Sequence, residues 1–242
     1  MNCKYPFLKL LHELGPLSTA LTLVGGWVPT VYFEYLWKNQ NSPFVTEDID
    51  FALNKDIVWN QTLEKQIDQQ HFKHRHLCMG KERPYQLLFE NTPIDFLVDE
   101  RDAKHVQESI LGSGIILHAT PDYRFLLENK LQVSCEGFVF HVPHPARYIL
   151  HKTSVGLENL RFRSHDIATA YYVLTRSPEQ NVIFKELKTL RKDAFYVLLR
   201  KQLSEVLDDP KLGLANKVVS HLREVGVNED ENDVRTDLLS LM

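Results

Sequence analysis

Cysteine is scarce in this chain and follows no spacing. Cys3, Cys78 and Cys135 are scattered, odd in number and never paired as Cys-x-x-Cys. That excludes a disulfide scaffold and a zinc-finger frame, and fits reduced thiols in a cytoplasmic protein. Long apolar runs are also missing: none reaches the roughly 18 residues that a membrane span needs. Residues 1–17, MNCKYPFLKLLHELGPL, interleave charged and apolar residues, so an amphipathic helix is expected there rather than a signal peptide. Charge of one sign is lacking as well. Twenty-eight basic residues face 32 acidic ones, a net charge of −4, which argues against a protein that coats duplex nucleic acid. A nucleotide held by a local basic patch remains compatible with that balance. There is no internal repeat and no low-complexity segment. What is left, at 43% hydrophobic and 25% charged residues, is ordinary globular material, enough for one large or two small domains.

The pattern divides near residue 142. Before it, helical and strand signals alternate. A helix is expected over 4–13, a buried strand over Leu17–Val24, a Gly25-Gly26 turn, and a helix over Trp27–Trp37 with Pro29 in its first turn. A strand over Val45–Leu53 follows, then a helix over 59–69. Three short strands are expected at 72–77, 85–89 and 93–98, with a hairpin signal at Asn91-Thr92. A helical turn is expected over 121–128. A further hairpin is expected from 131–135 and 138–142 around Glu136-Gly137. After residue 142 helical periodicity takes over, at 145–155, 163–176, 180–190, 193–206 and 211–224. The expected architecture is therefore α+β or α/β: a small mixed-sheet core over 1–142, then a helical bundle over 143–242. The last twenty residues carry six acids against two bases, and are expected to form a frayed or partner-contacting tail.

The most informative stretch is Thr46-Glu47-Asp48-Ile49-Asp50-Phe51. On a strand, Asp48 and Asp50 point to one face while Ile49 and Phe51 point to the other, into a core. Two like charges on one face repel, which is costly unless a cation lies between them. A divalent metal suits oxygen ligands. A third acid, Asp95, interrupts an otherwise apolar strand, Ile94-Asp95-Phe96-Leu97-Val98. If that strand neighbours the first, three carboxylates converge and can hold two magnesium ions. Asp95 can then also serve as the base for an attacking hydroxyl. Upstream, Val24-Gly25-Gly26 ends a strand in a turn whose backbone N–H groups can approach phosphates, with a helix N-terminus behind it. Each element alone is commonplace. Their order, with apolar neighbours on every acid, points to a metal site.

These residues resemble the DNA polymerase β-like nucleotidyltransferase superfamily: Val24-Gly25-Gly26, then Asp48-Ile49-Asp50-Phe51, then Ile94-Asp95-Phe96. The long gap between turn and acids, and Thr46 before them, is closer to bacterial abortive-infection toxin-type enzymes. Downstream, Val142-Pro143-His144-Pro145 through His151-Lys152, followed by His165-Asp166-Ile167-Ala168, looks like an uncharacterised bacterial family with the same fold. The resemblance spans roughly residues 17–176. It implies a nucleotidyltransferase core with Asp48, Asp50 and Asp95 as metal ligands and catalytic acids, holding Mg2+ or Mn2+. It also implies that Gly25, Gly26, Thr46, Lys152 and Asp166 contact a nucleoside triphosphate, Asp166 by orienting Lys152. His165 departs from the lysine usual at its position, and Thr169 stands where toxin-type members often carry a second acid.

Between His141 and Ser164, four bases (Arg147, Lys152, Arg161, Arg163) face one acid, Glu158, a counter-surface suited to a triphosphate. A plain helix–helix salt bridge between Lys152 and Asp166 is the competing reading. His71, His74 and His76 lack an accompanying acid or cysteine and read as solvated strand residues. His141, His144 and His151 flank prolines and are expected to pack or cap. Tyr171-Tyr172 reads as packing, and Ser134-Cys135 lacks partners for a nucleophilic triad. Two functions follow. One is a metal-dependent enzyme that moves a nucleotidyl group from a triphosphate to an acceptor hydroxyl on a small molecule, RNA 3′ end or protein. The other is a nucleotide-binding regulatory or toxin–antitoxin partner without catalysis.

Overall fold

The computed structural model of the protein describes residues 4–44, 46–53, 72–76, 85–102, 117–120 and 123–241. The expected helix over 59–69, together with Val45, His71 and Leu77, lies outside the described residues. The described strands are β1 Thr22–Val24, β2 Ile49–Ala52, β3 Phe72–His76, β4 Tyr85–Phe89, β5 Thr92–Asp99, β6 Leu117–Thr120, β7 Leu131–Cys135 and β8 Phe138–Val142. The described helices are α1 Pro6–Leu14, α2 Val28–Thr30, α3 Tyr123–Leu127, α4 Pro145–Glu158, α5 Leu160–Arg176, α6 Gln180–Thr189, α7 Ala194–Asp208, α8 Leu214–Glu224 and α9 Glu231–Ser240. None of them is long and apolar enough to cross a membrane.

The chain forms two compact units, one from residues 1–31 and 45–143, the other from 32–44 and 144–242. The first holds one mixed sheet in the order β3-β4-β5-β2-β1-β8-β7. β2 and β5 run parallel in its centre, with Ile49 opposite Ile94, Asp50 opposite Asp95 and Phe51 opposite Phe96. β1 lies antiparallel on the far side of β2, placing Val24 against Asp50. β5 also pairs with β4 near its start, at Thr92–Ile94, and with β6 near its end, at Phe96–Asp99. The period-2 pattern explains the layering. Ile49, Phe51, Ile94, Phe96 and Val98 are buried, whereas Asp50 and Asp95 alternate with them and stay half-exposed. The Phe51 and Phe96 rings stack with centroids 6.3 Å apart. α1 buries Phe7, Leu8, Leu10, Leu11 and Leu14, and Phe7 meets Trp27 and Phe140 edge-on or tilted.

Two hairpins close through two-residue turns with both residues at positive φ, Glu90-Asn91 and Glu136-Gly137. The first lies one residue upstream of the Asn91-Thr92 turn read from sequence. Other expectations shift more. Gly15–Ala20 is a 3-10 helix, so the strand expected from Leu17 shrinks to Thr22–Val24. The continuous helix expected over Trp27–Trp37 is a 3-10 turn at Gly25–Trp27, one α turn at Val28–Thr30, then a π-helical stretch at Val31–Leu36.

The second unit is helical. His144 caps α4, its Nδ1 accepting from Ala146 N at 3.3 Å. α4 and α5 cross closely at Gly156, where a Cβ would sit 2.3 Å from Ile167 Cγ1 and 3.0 Å from the Arg163 carbonyl oxygen. Asp193 caps α7 through Phe195 N at 2.9 Å. Residues 32–44 join this unit through aromatic packing: Tyr32 on Tyr148, and Phe33 and Phe44 on Tyr172. The tail is not frayed. Asp230 caps α9, which buries Val234 and Leu238, while Tyr171 Oη donates to Asp237 at 3.2 Å.

Candidate metal centre

Three elements converge on one patch of the first unit. Asp48 sits in a bend just ahead of β2, and Asp50 lies within that strand. Asp95 stands directly across from Asp50 on β5, which puts both side chains on one face of the sheet. One carboxylate oxygen from each of Asp48, Asp50 and Asp95 lies within 4.8 Å of the other two, and all three residues are half-buried. Three negative charges so close, partly withdrawn from water, repel strongly. Hard oxygen donors in this number fit a divalent cation, which would offset most of their charge.

The two glycines are fitted to the acids. Gly25 has φ +71°, and a Cβ there would fall on Asp50 Oδ2 and lie 2.7 Å from its Cγ. A Cβ on Gly26 would sit 2.7 Å from Thr46 Cβ. The glycine turn therefore makes room for the acid strand itself, a demand that its sequence pattern does not reveal. Thr46 Oγ1 donates to Asp48 Oδ1, so this threonine braces a carboxylate. The structure thus brings Gly25, Gly26, Thr46, Asp48, Asp50 and Asp95 together.

One residue at this site went unread in the sequence. His118 of β6 stands opposite Leu97 of β5, and its Nε2 lies 3.5 Å from Asp95 Oδ1. Hydrogen bonding to Asp95, with the charges of Asp95 and Asp50, raises the His118 pKa above its ordinary value, against the opposing effect of burial. The apolar run Ile115-Ile116-Leu117 before His118 is a strand signal, but it does not say which strand lies alongside. At the end of β5, the buried Asp99 accepts from Arg101 N, Nε and Nη2 at 3.0, 2.7 and 2.9 Å and from Arg124 N at 2.9 Å. The Arg101 side chain leads in holding this carboxyl far below the usual carboxylate range. These bonds tie the end of β5 to the start of α3.

Lys152 and Asp166 belong to the helical unit, where Lys152 Nζ donates to Asp166 Oδ1 at 2.6 Å. His165 Nε2 approaches the other Asp166 oxygen at 3.7 Å. The basic stretch is less free than its count implies: Arg147 is buried and pairs with Glu186 at 3.1 Å, while Arg161 and Arg163 stay exposed. His151 is buried on α4, and burial, helped by the neighbouring Lys152 charge, drops its pKa to about 3.

A scan against protein-family models and a search of curated proteins find no match. Among solved structures, an antigenic nucleotidyltransferase-like protein from Paracoccidioides brasiliensis aligns with 76% of this chain and 86% of its own. The TM-score is 0.42 at 13% sequence identity, too low for a functional argument.

Proposed function

We propose that the protein is a metal-dependent nucleotidyltransferase. The observation that carries this reading is the convergence of Asp50 and Asp95 on parallel strands with Asp48, just ahead of the first strand, beside a glycine turn shaped to fit them. In this reading Asp48 and Asp50 hold divalent metal, and Asp95 is a shared ligand or the base that takes the acceptor's proton. When bound, the metal would neutralise the triphosphate and the pyrophosphate leaving group. An acceptor hydroxyl attacks the α-phosphorus, the bond to the bridging oxygen breaks, and pyrophosphate leaves with its electron pair. The backbone of Gly25 and Gly26 approaches phosphate without side chains in the way. Thr46 holds Asp48 in position. In the helical unit, Asp166 holds the ammonium group of Lys152.

Incubation with each α-labelled nucleoside triphosphate, Mg2+ or Mn2+ and a cell extract tests the reading. Label should pass covalently to an acceptor with release of pyrophosphate, and Asp50→Asn should prevent it. Triphosphate binding without pyrophosphate release would favour a non-catalytic nucleotide-binding partner instead.

A further inference from the structure

We infer that His118 is a nitrogen ligand of the metal centre, sharing a cation with Asp95, and that it tilts the site toward first-row transition ions over Mg2+. The inference rests on reading the three acids as a metal site. β6 extends the sheet on the edge of β5 away from β2, and the Leu97–His118 register sets the imidazole diagonally beside Asp95. Its Nε2 is 3.5 Å from Asp95 Oδ1. Two ligands of one octahedral ion, each about 2.1 Å from it, stand about 3 Å apart when adjacent and about 4.2 Å apart when opposite. The observed separation falls between these, so His118 and Asp95 can grip one ion with little movement.

Chemistry separates the ligand role from a simple ion pair. A neutral imidazole offers one ring nitrogen lone pair to a metal, whereas an imidazolium offers none. Mg2+ prefers oxygen donors and retains water, while imidazole suits transition ions. A mixed set of three carboxylates and one imidazole should therefore discriminate where an all-oxygen set would not.

Pulsed electron paramagnetic resonance on the full chain loaded with one equivalent of Mn2+ tests this. Electron spin-echo envelope modulation should show directly bound 14N in the wild type and lose it in His118→Gln. Calorimetric titration should show Mn2+ affinity falling about tenfold or more in that variant, with Mg2+ affinity changed less than about threefold. The wild-type spectrum is informative even if the variant folds poorly. Mn2+ that binds, and is lost in Asp50→Asn, but shows no nitrogen coupling would overturn the role of His118. Coupling that survives in His118→Gln would overturn it equally. Mn2+ that fails to bind, or binds unchanged in Asp50→Asn, would instead bring down the metal-centre reading itself.

Discussion

Asp50 on β2 and Asp95 on β5 face each other in register across parallel strands, with Asp48 close enough to complete a three-carboxylate cluster. The backbone fixes this pairing, so it does not depend on long flexible side chains. Repulsion among three such acids destabilises the metal-free protein, which a fold tolerates when a site needs them.

Asp50→Asn should therefore move stability and function in opposite directions. Thermal unfolding of the metal-free variant should occur at the same temperature or slightly higher, because a like charge is gone. Nucleotidyl transfer should fall roughly a thousandfold, the several kcal/mol that metal stabilisation of the transition state supplies. A variant that unfolds early would show that Asp50 is structural.

Gly25→Ala should cost about 2 kcal/mol or more, read from denaturant unfolding. The new methyl meets the Asp50 carboxylate and must adopt φ +71°. Since the group displaced is a proposed ligand, Mn2+ affinity should drop in the same variant. Loss of stability with full metal affinity would separate the turn from the site.

His151 predicts a pH dependence whose sign is set by its depressed pKa. The unfolded chain takes up the His151 proton near pH 6.5, whereas the folded chain resists until about pH 3. The unfolded state thus binds more protons across that window, and stability falls as pH drops through it. The slope from this one group is at most about 1.4 kcal/mol per pH unit. Denaturant melts of His151→Phe between pH 3 and 6.5 should show a slope shallower by up to one proton. An unchanged slope would mean His151 is not buried as a neutral ring.

Asp99→Ala should destabilise the first unit by about 2 kcal/mol, chiefly because the Arg101 and Arg124 backbone N–H groups lose their carboxylate while the exposed Arg101 guanidinium regains water. Because the folded pKa is depressed, Asp99 contributes its stability above the ordinary carboxylate pKa and loses it as pH falls below that value. Asp99→Ala and the wild type should therefore converge in stability toward strong acid.

The period-2 alternation around Asp50 and Asp95 made their shared face legible, because burial of Ile49, Phe51, Ile94 and Phe96 forces the acids to the opposite side. Helices with strong apolar stripes, such as α1 and α8, were legible for the same reason. Pairing partners were not. Nothing local in the sequence says that β6 lies beside β5, so His118 stayed hidden until the strands were assembled. The α9 helix was missed because its charge count masks two buried anchors, Val234 and Leu238. The broken helix after Gly26 was missed because an apolar pattern does not distinguish 3-10, α and π hydrogen bonding.

Label transfer from an α-labelled triphosphate tests the central claim most directly. Wild-type protein with divalent metal and cell extract should place label covalently on an acceptor, release pyrophosphate, and stop doing both when metal is chelated or Asp50 becomes Asn. No transfer from any of the four triphosphates with either Mg2+ or Mn2+, in protein shown to bind the metal, would contradict it.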